Sequence, residues 1–253
     1  MNAPIGIFDS GVGGISVCKE IRKALPRECC LFLGDSARAP YGVRPEGEVL
    51  AFTREGLRYL RERGCKAAVI ACNTATAVAA DVLRRENPDF PIVAIEPAVK
   101  PAVEAHPTGK ILLMATPLTL RSARLQNLVE RVKGEAEVHF LPCPGLVELI
   151  EEGHWEDEAL FSYLTSLFAP LSFRPDALVL GCTHYPHVSA ALSRHFDGIP
   201  QYHGGSGAAR RLAYLLEKEN LLSDSQSPGT VSFRFTCGDP RKAELARRLL
   251  SRP

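Results

Sequence analysis

"KAAVIACNTAT", residues 66–76, decides the fold. Residues 67–71 are small and apolar without a break. The run is too short for a helix and reads as a strand buried on both faces of a parallel sheet. Cys72, Asn73 and Thr74 follow at once, and helical spacing then covers 73–85. "DALVLGCTHYP", residues 176–186, repeats the arrangement, with Cys182 standing 110 positions after Cys72. One chain thus twice places a cysteine, followed by polar hydrogen-bonding side chains, at the tip of a buried strand.

The same alternation extends outward from both stretches. In the first half, strands are expected over 4–8, 30–33, 67–71 and 91–95. Helices are expected over 15–25, 46–63, 73–85 and 98–105. Ile15, Cys18, Ile21, Ala24 and Leu25 share one face of the first helix, and Leu50, Leu57 and Leu60 point inward from the second. The second half restarts with strands over 110–114, 136–140 and 177–180. Helices cover 118–132, roughly 146–171 and 187–195. GIFDS corresponds to LLMAT, LFLGD to HFLPC and AVIACNT to LVLGCTH, an internal pseudo-repeat of two α/β units. A helix over 208–219, a strand over 231–235 and a helix over 241–251 are too little for a third domain and are expected to pack on the first half. The domains are therefore 1–96 plus 206–253, and 97–205. Each has a mainly parallel sheet covered by helices.

Composition narrows the function. The 253 residues carry 30 basic and 29 acidic side chains, a formal net charge of +1, which leaves no electrostatic footprint for nucleic acid or an anionic membrane. The N-terminal MNAPIGIFDSG has no basic n-region, and no apolar run is long enough to span a bilayer, so a cytoplasmic protein is expected. The expected partner is a small molecule, and a homodimer is left open. Eight cysteines without a C-x-x-C argue against structural zinc and thioredoxin-like chemistry, and five or six of them read as small buried apolar residues.

Ligands of open α/β sheets bind beyond the carboxyl ends of the strands. The loops there are FDSGVGG, GDSARAPYG, ACNTAT, ATPLT, LPCPG and GCTHYP. If the two units face each other, these loops converge on one cleft. Asp9-Ser10-Gly11-Val12-Gly13-Gly14 follows a strand and opens a helix, but Ser16 stands where a dinucleotide fingerprint needs its third glycine. Two readings remain: a tight turn whose glycines take positive φ, or a nest of N–H groups for a carboxylate. Asp9 at the strand tip favours the second.

Alone, either cysteine reads as core. Both, however, precede a helix, whose N-terminus stabilises a thiolate. Each has a proton partner in its own half, Asp9 for Cys72 and His184 for Cys182. Ser10, Asn73, Thr74, Thr119 and Thr183 are neutral hydrogen-bonding groups suited to a zwitterion. Two thiols on opposite sides of one substrate would invert a stereocentre, one removing a proton from carbon and the other delivering one to the opposite face. A rival is a metal held by Cys182, His184 and His187.

Together GIFDSGVGG, GDSARAPYG, ACNTAT, the IEP of residues 95–97, LVELIEEG and GCTHYP resemble, in order and over nearly the whole chain, the cofactor-independent glutamate racemase family. Aspartate and hydantoin racemases are its nearest relatives. The resemblance implies two facing α/β domains with the active site in the cleft between them, no cofactor, and D-glutamate supplied for peptidoglycan. It makes Cys72 the base for D-glutamate and Cys182 the base for L-glutamate, assisted by Asp9 and His184. Asp9, Ser10, Tyr41, Gly42, Asn73, Thr74, Thr183 and His184 match substrate-binding positions. Asp35 and Glu151 match nearby auxiliary acids. Ala115-Thr116 replaces a frequent Gly-Thr at the pocket floor, and His203-Gly204-Gly205 replaces an Asp-Ser-like step at the second interdomain crossover. Activation by a cell-wall precursor is not implied, because the N-terminal extension that accompanies it is not seen.

Overall fold

The computed structural model describes residues 3–252. The chain up to Glu96 runs β1 (Ile5–Asp9), α1 (Ile15–Ala24), β2 (Cys30–Gly34), α2 (Glu46–Glu62), β3 (Ala67–Ile70), α3 (Asn73–Glu86) and β4 (Ile92–Ala94). Pro97–Gly204 is a second unit. It opens with α4 (Val99–Ala105), β5 (Lys110–Ala115), α5 (Pro117–Arg121), α6 (Ala123–Val132) and β6 (Glu137–Pro142). It continues with α7 (Leu146–Glu152), α8 (Glu158–Phe168), β7 (Ala177–Leu180), α9 (Ser189–His195) and β8 (Gln201–His203). From Gly205 the chain returns to the first unit with α10 (Gly205–Lys218), β9 (Val231–Phe235) and α11 (Pro240–Ser251). Gly205 opens α10, so the return falls one residue earlier than the sequence reading placed it.

The first sheet has the order β4-β3-β1-β2-β9 and the second β6-β5-β7-β8. Every strand pair in both is parallel. That follows from the helical crossovers, and it explains why the central strands read as unbroken apolar runs. The C-terminal strand β9 extends the first sheet, pairing Cys30 with Val231 through to Gly34 with Phe235. Glu28 holds the returning chain: its Oε1 accepts from the Ser223 N–H at 2.6 Å, and its Oε2 pairs with the buried Lys66 ammonium at 2.6 Å.

Several expected elements are divided. The helix expected over 118–132 breaks at Ser122, whose extended backbone and hydroxyl cap α6 by accepting from the Leu125 N–H. The stretch expected over 146–171 breaks at Gly153, which takes a left-handed φ of 97°, and restarts where Asp157 caps α8. After GCTHYP the backbone makes a 3-10 turn over Tyr185–Val188, and α9 begins only at Ser189. Strand β8, three residues at the sheet edge, has no counterpart in the sequence reading. On α2 the inward residue is Val49 and not Leu50, which is half-buried, and on α1 Ala24 is exposed.

Candidate active site

In the first unit Phe8 pairs with Ile70, so Asp9 and Cys72 leave adjacent strand ends. Cys72 is 5% exposed and keeps extended backbone (φ −75°, ψ 121°) while its sulfur caps α3, accepting from the Ala75 N–H at 3.4 Å. The thiol therefore sits in the field of a 14-residue helix's N-terminus, which favours the thiolate. The Ser10 hydroxyl lies 3.5 Å from the same sulfur. Asn73 and Thr74 form the first turn of α3, both buried, and Asn73 Oδ1 has no hydrogen-bond partner. A buried amide oxygen left this way costs free energy unless something else occupies its lone pairs.

Asp9 is fully buried, and its Oδ2 accepts from the Gly11 N–H at 2.9 Å. Neither reading of the glycine loop survives intact. The Gly11 N–H is engaged by Asp9 and is not held open for a carboxylate. Nor do the loop glycines take positive φ: among the described residues the left-handed glycines are Gly64, Gly134, Gly145, Gly153, Gly198 and Gly238. Gly14 is helical at φ −60°, and its role is close approach, because a Cβ there would stand 2.7 Å from the Asp9 Cβ and 3.1 Å from the Ala71 Cβ.

Asp35, fully buried at the end of β2, is a hub. Its Oδ2 accepts from the Tyr41 hydroxyl and from Arg38 Nε (2.7 Å), and its Oδ1 from the Thr236 hydroxyl (2.7 Å). Burial first, then the Asp35 hydrogen bond and charge, hold the Tyr41 phenol protonated far above its ordinary range. Asp35 thus positions Tyr41, and Gly42 follows in the same buried 3-10 turn.

In the second unit Met114 pairs with Leu180, so Thr116 and Cys182 also leave adjacent strand ends. Here the equivalence with Cys72 stops. No α-helix begins at Cys182, which is 7% exposed and leads into a turn. Its sulfur lies 3.7 Å from His184 Nδ1, and His184 Nε2 lies 2.9 Å from Glu151 Oε1. Burial alone would push the imidazole pKa down. The hydrogen bonds to Cys182 and Glu151, with the charges of the same two groups, outweigh it and hold His184 well above the usual histidine value. An imidazolium beside the sulfur would favour the Cys182 thiolate as the helix would favour that of Cys72. Thr183 is buried between them in sequence, and Thr119 is buried with its hydroxyl 2.9 Å from that of Thr116.

Two residues with no role in the sequence reading adjoin Cys182. Cys143, at the tip of β6, and Tyr185 both lie within electrostatic reach of Cys182. Burial pushes the Cys143 thiol up to about 12, which keeps it a neutral wall group. Their signal was absent because contact across three loops has no sequence period. Among the described residues, no three His, Cys, Asp or Glu side chains are grouped to hold a metal ion. His106, His139, His154, His195 and His203 are half-buried; His106 lies 3.3 Å from the Tyr202 hydroxyl and His195 packs on Phe168.

The Asp/Glu/Hydantoin racemase family profile matches residues 5–212. A glutamate racemase of Clostridium acetobutylicum is 42% identical over 252 residues, covering 98% of each chain. The crystal structure of a glutamate racemase isoform from Bacillus anthracis superposes with a TM-score of 0.87 at 30% identity, covering 99% of this chain and 94% of that one. That of the Francisella tularensis glutamate racemase in complex with D-glutamate gives 0.83 at 28% identity, covering 99% and 94%.

Proposed function

The chain belongs to the Asp/Glu/Hydantoin racemase family and racemises glutamate, and we propose that it does so with two thiols and no cofactor. Cys182 takes the α-proton of L-glutamate and Cys72 delivers one to the opposite face. For D-glutamate the roles reverse. The observation that carries this reading is the matched placement of the two sulfurs, each at a sheet's carboxyl edge beside a group that favours a thiolate.

The chemistry explains why both kinds of help are needed. The α-proton of an amino-acid zwitterion is very weakly acidic, while a free thiol, with pKa near ~8.5, is mostly protonated at neutral pH. The base must therefore be ionised by its surroundings. Removing the proton adds negative charge to a molecule that already carries two carboxylates, so fixed donors must stabilise it. The N-terminal turn of α3 offers such donors through its backbone. Asn73 Oδ1 is suited to the substrate ammonium, and the hydroxyls of Ser10, Thr74, Thr119 and Thr183 to its carboxylates. Asp9 serves Cys72 and His184 serves Cys182, with Glu151 orienting and charging the imidazole.

This reading puts the enzyme in the cytoplasm, where D-glutamate enters peptidoglycan. No helix among the described residues is long and apolar enough to cross a membrane. The test is circular dichroism of L-glutamate, and separately D-glutamate, incubated with the purified protein and no added cofactor. The signal decays to zero with wild type, and Cys72→Ser or Cys182→Ser each stops the decay. Near-normal decay in either variant overturns the two-thiol reading.

A further inference from the structure

A separate concavity of about 320 Å³ opens on the α2 side of the first sheet. Phe8, Leu33 and Arg234, lateral neighbours across β1, β2 and β9, line it together with Tyr59 from α2 and Asp35 and Arg38 from the loop after β2. Of the residues proposed to touch glutamate, none is in its wall. Its volume is at the lower end of the range for ligand sites, ~300–1,000 Å³.

The charges of the wall are unequally committed. Arg38 is committed to two carboxylates: Nε binds Asp35, Nη1 binds Glu55, and its guanidinium lies 4.2 Å from the centre of the Phe52 ring. Asp35 is saturated by Tyr41, Arg38 and Thr236. Arg58 reaches Glu62 only at 3.8 Å, with both side chains exposed. Arg234 has no carboxylate partner among the described residues; its Nη1 donates only to the Phe233 carbonyl, at 2.8 Å. The wall's three carboxylates, Asp35, Glu55 and Glu62, balance its three guanidiniums, and of the latter Arg234 is the one without a carboxylate partner among the described residues, beside an aromatic and aliphatic surface.

We propose that this cavity is an effector site for a small aromatic anion, a planar ring bearing one carboxylate or phosphate, whose occupancy is read by Tyr41 through Asp35. The ring lies against Phe8, Leu33 and Tyr59, and the anion engages Arg234. Thr236 is two residues beyond Arg234 and donates to Asp35 Oδ1, while its own hydroxyl accepts from the Ala37 N–H at 3.0 Å. Drawing Arg234 toward an anion therefore pulls on the end of β9 that steadies Asp35, and Asp35 Oδ2 is where Tyr41 is anchored. Phe8, in the cavity wall, also packs on the Tyr41 ring at 6.4 Å between centroids. The coupling half rests on the proposed role of Tyr41 at the substrate; the binding half does not.

The probe is phenyl phosphate, titrated calorimetrically into the full-length enzyme. Wild type binds it saturably, one to one, and more tightly than phenol or inorganic phosphate. Arg234→Ala weakens binding by about tenfold or more, the loss expected of a charge-assisted contact, and Arg234→Lys restores part of it. An equilibrated mixture of L- and D-glutamate changes the dissociation constant by ~5-fold or more without changing the stoichiometry, and phenyl phosphate changes glutamate binding by the same factor. Thr236→Val keeps the binding and loses the coupling. Absent saturable binding, unaltered binding in Arg234→Ala, or equal binding of bare phosphate overturns the site. Abolition of binding by glutamate places the probe in the substrate pocket and overturns it too. Binding indifferent to glutamate, or coupling that persists in Thr236→Val, overturns the route to Tyr41.

Discussion

Glu151 Oε1 lies 2.9 Å from Nε2 of His184, while the other ring nitrogen of His184 faces the Cys182 sulfur. The two residues are 33 positions apart, and in the proposed mechanism their contact separates the activation of Cys182 from that of Cys72. There one thiol depends on a helix, the other on an ion pair.

Glu151→Gln keeps the shape and a hydrogen bond but removes the charge. The His184 pKa should fall toward its ordinary value, and alkylation of Cys182 at neutral pH should slow while that of Cys72 stays. Turnover should drop by roughly ten- to a hundredfold, less than the ~10²–10⁴ for removing an acid/base itself. It must drop in both directions, because the products are mirror images. The asymmetry should appear as a larger deuterium isotope effect from L-glutamate. Alkylation mapped by mass spectrometry checks the first part; equal slowing at both cysteines contradicts it.

The raised His184 pKa also carries a stability signature. A group that holds its proton more tightly when folded stabilises the fold fully below its unfolded value, and that contribution fades as pH rises through the folded value. His184→Asn lacks it. The gap in melting temperature between wild type and His184→Asn should be widest below about pH 6.5 and narrow as pH rises above it. A gap that widens with pH would have the wrong sign.

Gly14→Ala tests the packing beneath Asp9. The new Cβ would stand 2.7 Å from the Asp9 Cβ and 3.1 Å from the Ala71 Cβ, so the helix start or the strand tip must shift. Overpacking of this kind costs about 1–3 kcal/mol. Thermal melts should show the loss, and activity should fall further than stability, since Asp9 and Ser10 are displaced together. Full activity at reduced stability would remove Asp9 from the mechanism.

Glu28→Ala tests how the returning chain is held. It strips the partner from buried Lys66 and the acceptor from the Ser223 N–H. Breaking one side of a buried pair costs about 3–5 kcal/mol. Urea unfolding should show that loss, and hydrogen exchange should rise first in β9. A change within ~0.5 kcal/mol, typical of a surface site, would contradict it.

The alternation of strands and helices was legible because buried parallel strands leave unbroken apolar runs, as at 67–70 and 177–180. So were the two cysteines, which interrupt those runs at their polar ends. The breaks at Ser122 and Gly153 were not, because apolar spacing continues across each and only the cap chemistry distinguishes them. The reading that both thiols precede a helix failed at Cys182. Pro186 lies one residue into a 3-10 turn there, and no periodicity reveals that Glu151 takes over the helix's part. Asp35 was legible as an acid near the site, but its three donors come from loops up to 201 positions away.

The most direct measurement places deuterium. L-glutamate is mixed with enzyme in deuterated water and stopped at low conversion, and the α-position of each enantiomer is read by mass spectrometry after chiral separation. Two thiols predict D-glutamate fully deuterated and recovered L-glutamate still carrying protium, because Cys182 holds the abstracted proton while Cys72 delivers a solvent-derived one. Deuterium appearing equally in both enantiomers from the start, or protium carried into the product, would mean one base serving both faces and would contradict the account.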